Sequence, residues 1–178
     1  MSRNFHFRTA TANDALRLQE LIQAAFRVND EANIDWVGSP EFADAFSIEL
    51  DVIISRITAP DGRFLVASEA EDGHIIGCVN VFRKTPKFGR LGLIAVDPTL
   101  QRGGLGKIIL VHGEKYLIQE LGVSTIGLNT LHTRKDMIKW YERQGYVKTG
   151  KMTKLPVERF GTDISARIGL VEFEKNVA

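Results

Sequence analysis

Leu93-Ile94-Ala95-Val96-Asp97-Pro98-Thr99-Leu100-Gln101-Arg102-Gly103-Gly104-Leu105-Gly106-Lys107 is the stretch on which the reading of this chain turns. An apolar strand ends at Asp97-Pro98, and a glycine-rich bend then opens a helix expected from about Gly104 to Glu120. The first turn of a helix leaves backbone N–H groups unpaired and carries partial positive charge. Gly103, Gly104 and Gly106 remove the Cβ atoms that would keep a phosphate from those amides, and Arg102 and Lys107 add two cations. The segment therefore predicts a site for a phosphate or pyrophosphate. The bland alternative is a tight strand-to-helix connection with no ligand. The coincidence of glycines, cations and a preceding strand speaks against it.

Two nucleotide readings fit less well. A P-loop would need glycine at position 101 and serine or threonine at 108, where this chain has Gln101 and Ile108. A dinucleotide fingerprint needs a different glycine spacing early in a βαβ unit.

Upstream of this stretch, Phe5, Phe7 and Thr9 alternate with His6 and Arg8 as a half-buried first strand. Thr11 and Asp14 form a capping box before an apolar helical stripe from Ala15 to Phe26. A polar segment from Arg27 to Gly38 carries Glu31, Asp35 and Trp36. Ser39-Pro40 reads as a cap with proline at the first helical position, and Phe42 to Ile57 gives a second helix. Phe64–Ser68 and Ile75–Phe82 read as a hairpin around Asp72-Gly73, followed by a basic loop from Arg83 to Arg90. Strands are expected over Leu91–Val96, Val123–Asn129, Tyr146–Met152 and Ala166–Phe173. A helix fills Arg134–Gln144, and a loop holds Pro156 and Gly161. The alternation of elements is that of a mixed α/β fold, expected as a single domain over residues 1–178.

The strand Ile94-Ala95-Val96-Asp97-Pro98 followed by Gln101, Gly104 and Gly106 resembles the signature of the Gcn5-related N-acetyltransferase family. Trp140-Tyr141-Glu142-Arg143-Gln144-Gly145-Tyr146 resembles the segment that closes that family's fourth helix, so the matched motifs cover about Leu91 to Lys148. The resemblance implies a mostly antiparallel seven-stranded sheet with helices on both faces and two splayed parallel central strands. It implies acetyl-CoA as cosubstrate, with the pyrophosphate on Gln101, Arg102, Gly103, Gly104, Leu105, Gly106 and Lys107. Backbone groups of Ile94, Ala95 and Val96 would pair with the pantetheine arm, approached also by Asn129, Arg134 and Met137. For Asn129, termination of a strand is an equal reading.

Tyr141 stands where the family has its general acid. A phenol near pKa 10 can protonate or hydrogen-bond a leaving thiolate, whose thiol is near 8.5 by the cysteine analogy. The alternative for Tyr141 is a core aromatic on an amphipathic helix. Family members often carry an acid on the strand before the glycine turn, but Gly89 to Leu93 offers no carboxylate, so the base stays unassigned; Glu31 and Asp35 are candidates, with solvated loop acids the favoured reading of both.

Composition bounds the partners. The chain has 178 residues, 44% hydrophobic and 25% charged, with a formal net charge of +1. That balance advertises neither nucleic acid nor an anionic membrane surface. No run approaches the roughly 20 apolar residues of a bilayer span. The lone Cys78, expected as a buried small apolar residue, points to a reducing compartment. With no apolar signal core in Met1 to Arg8, the expected location is the cytoplasm, the nucleus left open. His6, His74, His112 and His132 have no partner at ligand spacing, so no metal site is expected. The expected acceptor is a small-molecule or peptide amine; a homodimer stays open. The rival function is a non-catalytic acyl-CoA-binding regulatory module.

Overall fold

The computed structural model describes residues 4–28 and 30–178, apart from the side chain of Glu31. In chain order its elements are β1 His6–Thr9, α1 Ala15–Phe26, α2 Ile34–Val37, α3 Pro40–Ala45, α4 Leu50–Thr58, β2 Gly62–Ser68, β3 Ile75–Thr85, β4 Phe88–Val96, α5 Leu105–Gln119, β5 Thr125–Leu131, α6 Lys135–Arg143, β6 Val147–Lys154, α7 Val157–Arg167 and β7 Gly169–Asn176. The strands form one seven-stranded sheet in the order β1-β2-β3-β4-β5-β7-β6, mostly antiparallel, with β4 and β5 parallel. The expected mixed fold is therefore present.

The chain gathers into two compact units: one holds the chain up to Ala25 with Ile48–Ile126 and Val177–Ala178, the other Phe26–Ser47 with Gly127–Asn176. In the first unit the capping box is formed, with the Thr11 N–H donating to Asp14 Oδ2 at 2.8 Å. Arg8 also forks onto the Asp14 carboxylate, and this hydrogen bond holds the acid below its ordinary range. α5 packs on the sheet face that carries Gly77 and Val79, so closely that a Cβ on Gly77 would collide with Ile109 Cδ1. Arg56 of α4 reaches Asn80 Oδ1 at 2.9 Å on the opposite face, since Val79 and Asn80 alternate. Leu18, Ile22, Ile53, Phe64, Ile109 and Leu117 are fully buried here. The second unit is held by aromatics, with Phe42 stacked on Phe160 at 5.1 Å and Phe26 on Phe46 at 4.8 Å.

Four expectations are corrected. The helix read from Pro40 to Ile57 is two helices, because Phe46 is extended (ψ 127°) and the chain resumes helix only after Glu49. Long side chains satisfy the carbonyls exposed by the break: Arg27 Nε donates to Phe46 O at 2.6 Å and Arg159 Nη2 to Ser47 O at 2.5 Å. In the first unit, Gln19 Nε2 donates to Ile48 O at 2.8 Å. The basic segment 83–90 is no open loop: β3 and β4 continue through it, Arg83 opposite Gly89 and Thr85 opposite Phe88, closing on Pro86-Lys87. Asn129 does not end its strand, which continues to Leu131. The loop with Pro156 and Gly161 is α7, interrupted by Gly161 at φ 77°, ψ 162°, and the last strand starts at Gly169.

Candidate active site: an anion cradle and a buried phenol

In the first unit, β4 departs from regular pairing just before the glycine bend. Cys78 pairs with Ala95 and Asn80 with Gly92, so two steps on β3 oppose three on β4. The surplus is a bulge at Leu93-Ile94, and Leu93 takes φ 45°, a conformation that costs a leucine about 1–2 kcal/mol. The Leu93 carbonyl accepts from Cys78 Sγ at 3.6 Å. Burial pushes the Cys78 thiol up to about 12, so it stays protonated and can donate. Ala95 is buried while Ile94 and Val96 are half-buried. The bulge was invisible in sequence, because no glycine marks Leu93.

Asp97 then caps a short 3-10 turn, Pro98–Leu100, accepting from Thr99 N at 3.0 Å. These Thr99 hydrogen bonds keep the Asp97 carboxyl below its usual range. Arg17 ties the start of β3 to this turn, donating to Ile75 O at 2.8 Å and to Asp97 Oδ2 at 3.4 Å. Beyond it, Gln101 Nε2 reaches back to Val96 O at 3.4 Å. Arg102 and Gly104 both take left-handed backbone, φ 67° and 83°, and Gly104 is the N-cap of α5. The first intrahelical bond runs from Ile108 N to Gly104 O at 3.3 Å, so the amides of Leu105, Gly106 and Lys107 precede it.

Among the described residues, a Cβ built on Gly104 would meet nothing within 4 Å, and one on Gly106 only Val96 Cγ2 at 3.9 Å. Space, donors and helix dipole coincide there. Leu105 is buried and anchors the bend, while Gln101, Arg102, Gly103, Gly104 and Lys107 are exposed. The bend at 101–107 thus joins an open helix start to amides that precede the first intrahelical bond, the arrangement a phosphate group can use.

In the second unit, α6 carries Tyr141, 6% exposed, its ring 5.9 Å from Phe173 and 6.0 Å from Tyr146. Burial raises the phenol above its ordinary range, and the Arg134 charge opposes that in part. Arg134 is the N-cap of α6, and burial in turn lowers its own pKa. Its Nε donates to Trp36 O at 2.5 Å. Gly38, at φ 90°, lies so close that a Cβ there would sit 2.6 Å from Arg134 Cγ. Thr133 Oγ1 beside it is buried with no partner among the described residues. Met137 and Ile138 are half-buried on the same helix. Asp35 lies half-buried in α2; the Glu31 side chain is outside the described residues.

Sequence reading missed Glu172. Its Oε1 accepts from Asn129 Nδ2 at 2.9 Å and from Thr153 Oγ1 at 2.7 Å. The only hint was a carboxylate between the strand residues Val171 and Phe173. Among the described residues, no three His, Cys, Asp or Glu side chains gather as a metal-ligand set.

A mostly antiparallel sheet in which β4 and β5 run parallel, with a glycine-rich helix start after β4, matches the fold of the GNAT acetyltransferases. The sequence profile of the Acetyltransferase (GNAT) family matches residues 18–146. The chain belongs to that family and is an acyl-CoA-dependent N-acetyltransferase. It is 29% identical over 154 residues to the S-(2-succino)cysteine N-acetyltransferase of Bacillus subtilis (strain 168), covering 82% of this chain and 86% of that one. Its fold matches the ribosomal-protein-S18-alanine N-acetyltransferase from Escherichia coli with a TM-score of 0.70 at 19% identity, covering 98% and 95% of the two chains. A mutant of the spermidine N-acetyltransferase SpeG from Vibrio cholerae matches with a TM-score of 0.68 at 16% identity, covering 98% and 95%. The family uses acetyl-CoA as cosubstrate.

Proposed function

We propose that residues 1–178 act as one catalytic domain that transfers acetyl from acetyl-CoA to a primary amine by direct attack. The single observation that carries the proposal is the cradle at 101–107, where amides precede the first helical bond and glycine leaves the space open. The amides of residues 102–107 bind the diphosphate, with Gln101 bracing the bend against Val96 O. Main-chain groups of Ile94, Ala95 and Val96, at the bulge, pair with the pantetheine amides. Asn129 and Met137 line the arm. Arg134 contributes by holding Trp36 and by its charge near Tyr141.

The neutral amine forms the new C–N bond at the thioester carbonyl, and an amide of the bulge receives the developing oxyanion. As the C–S bond breaks, the Tyr141 phenol donates its proton to the thiolate. Burial suits Tyr141 to this role, because it keeps the phenol protonated over the whole neutral range.

The acceptor is a small-molecule or peptide amine. The relative from Bacillus subtilis is an S-(2-succino)cysteine N-acetyltransferase, so amino-acid conjugates head the acceptor panel here. The proposed compartment is the cytoplasm. No described helix is long and apolar enough to cross a membrane.

Calorimetry with coenzyme A, followed by thiol release from acetyl-CoA across amino-acid, polyamine and peptide amines, tests the reading. Binding with amine-dependent thiol release is the expected result. Binding without release for any amine would favour the acyl-CoA-sensing module, and absence of binding would remove both.

A further inference from the structure

We infer that the Arg134 guanidinium is the contact for a carboxylate carried by the acceptor amine, so that amino acids and their conjugates are the substrate class. The inference rests on the acetyltransferase reading above, with Tyr141 as its acid, and names the acceptor class that reading leaves open.

Arg134 is held by its stem. A carbonyl in the last turn of a short helix has no intrahelical partner, and Arg134 Nε donates to such a carbonyl, Trp36 O of α2, at 2.5 Å. Gly38, just past that helix, leaves the room, since a Cβ there would sit 2.6 Å from Arg134 Cγ and 3.4 Å from its Cδ. The side chain is thus fixed at Nε and along its methylenes. A guanidinium fixed in advance loses little freedom when a ligand arrives.

This brace uses Nε alone. Nη1 and Nη2 meet no hydrogen-bond acceptor among the described residues, and no carboxylate of those residues pairs with the charge. Asp136, in the first turn of α6, turns to Lys139 instead, at 4.0 Å. Yet Arg134 is half-buried, so its charge is partly desolvated without a counter-ion. Arg17, also half-buried, has Asp97 at 3.4 Å. The open fork on Arg134 presents parallel N–H groups that match the two oxygens of one carboxylate.

The place of the guanidinium says which molecule brings that anion. Arg134 and Tyr141 are seven residues apart, two helical turns, which sets them on one face of α6, and the Arg134 charge acts on the Tyr141 phenol. The phenol serves the thioester sulfur. The pantetheine end of acetyl-CoA carries no anionic group, its phosphates lying at the nucleotide end. An anion within Coulombic reach of Tyr141 therefore comes from the amine. The pairing also prepares the nitrogen, because a guanidinium at the carboxylate disfavours positive charge on the neighbouring ammonium and favours the neutral amine that attacks.

The test compares an acceptor acid with its carboxamide, using the amino acid or conjugate that gives the strongest thiol release in the panel. On Arg134→Gln in the full chain, the ratio of kcat/KM for acid over carboxamide is expected to fall roughly 10- to 100-fold, since the acid alone loses a charge-assisted bond. Differences in amine basicity cancel between wild type and variant. An unchanged ratio overturns the inference, and a raised KM for acetyl-CoA beside it assigns the fork to a cosubstrate phosphate instead. Wild-type protein that acetylates only amines without a carboxylate overturns it as well. Should Arg134→Gln fail to fold, the wild type decides. There the desamino acid should compete with the amine roughly 10- to 100-fold more strongly than its carboxamide, and equal inhibition overturns the inference. Failure of the underlying reading would look different, as wild-type protein that neither binds coenzyme A nor releases thiol with any amine.

Discussion

Gly104 and Gly122 provide an internally controlled test of the cradle. Both have positive φ, 83° and 66°, and a Cβ on either would meet no atom of the described residues within 4 Å. Gly104→Ala and Gly122→Ala therefore carry the same backbone penalty, about 1–2 kcal/mol for a left-handed residue, and no steric one within the protein. For a chain of this size each kcal/mol lowers Tm by about 2–4 °C, so the two variants should melt close together. They differ only in what occupies the open space. At Gly104 a diphosphate approaching the α5 amides meets the new methyl and loses the close approach of a charge-assisted hydrogen bond. That bond is worth about 1.5–3 kcal/mol, or roughly 10- to 150-fold in Kd. Calorimetric titration with coenzyme A should show this loss for Gly104→Ala alone. Equal affinities in the two variants would refute the reasoning, because the space at Gly104 would then be space that no ligand uses.

Tyr141→Phe should lower kcat by roughly 100- to 10,000-fold with the Kd for coenzyme A unchanged. Because burial raises the phenol, the wild-type rate should show no alkaline decline below about pH 10, and a lower-pH limb that disappears in Tyr141→Phe would refute the assignment. The same shift stabilises the fold fully below the unfolded tyrosine pKa, near 10, and the contribution fades as pH rises through the folded value. Cys78, with its thiol pushed up to about 12 and no exposed surface, should resist iodoacetamide at about pH 8 in the native protein and react in urea, as read by intact mass. Gly38→Ala should cost about 2–4 kcal/mol by chemical denaturation, combining left-handed strain with the 2.6 Å approach to Arg134 Cγ. In an Arg134→Ala background, where that carbon is gone, the cost should fall to about 1–2 kcal/mol, and an unchanged cost would show that the contact is immaterial.

What the sequence disclosed and what it hid divide along a physical line. The bend at 101–107 was legible as a glycine-rich turn into a helix because its features are local: glycines, cations and a helix start lie within a few residues of each other. The burial of Tyr141 on α6 was legible for a similar reason, since helical spacing sets its face. The break at Phe46 to Glu49 was not, because apolar residues continue through it. Its exposed carbonyls are satisfied by Arg27, Arg159 and Gln19, each distant in sequence. The α7 helix was lost to Gly161, whose extended ψ interrupts the periodicity that would have announced it. Glu172 shows the same limit most clearly. On its own strand it is one charged residue in an alternating run, and Asn129 on its own strand reads as a terminator. Only pairing across 43 residues turns the two into a bound carboxylate. Donors made by the chain's local direction can thus be read from one sequence, whereas a carboxylate becomes interpretable only when sheet register supplies its neighbours.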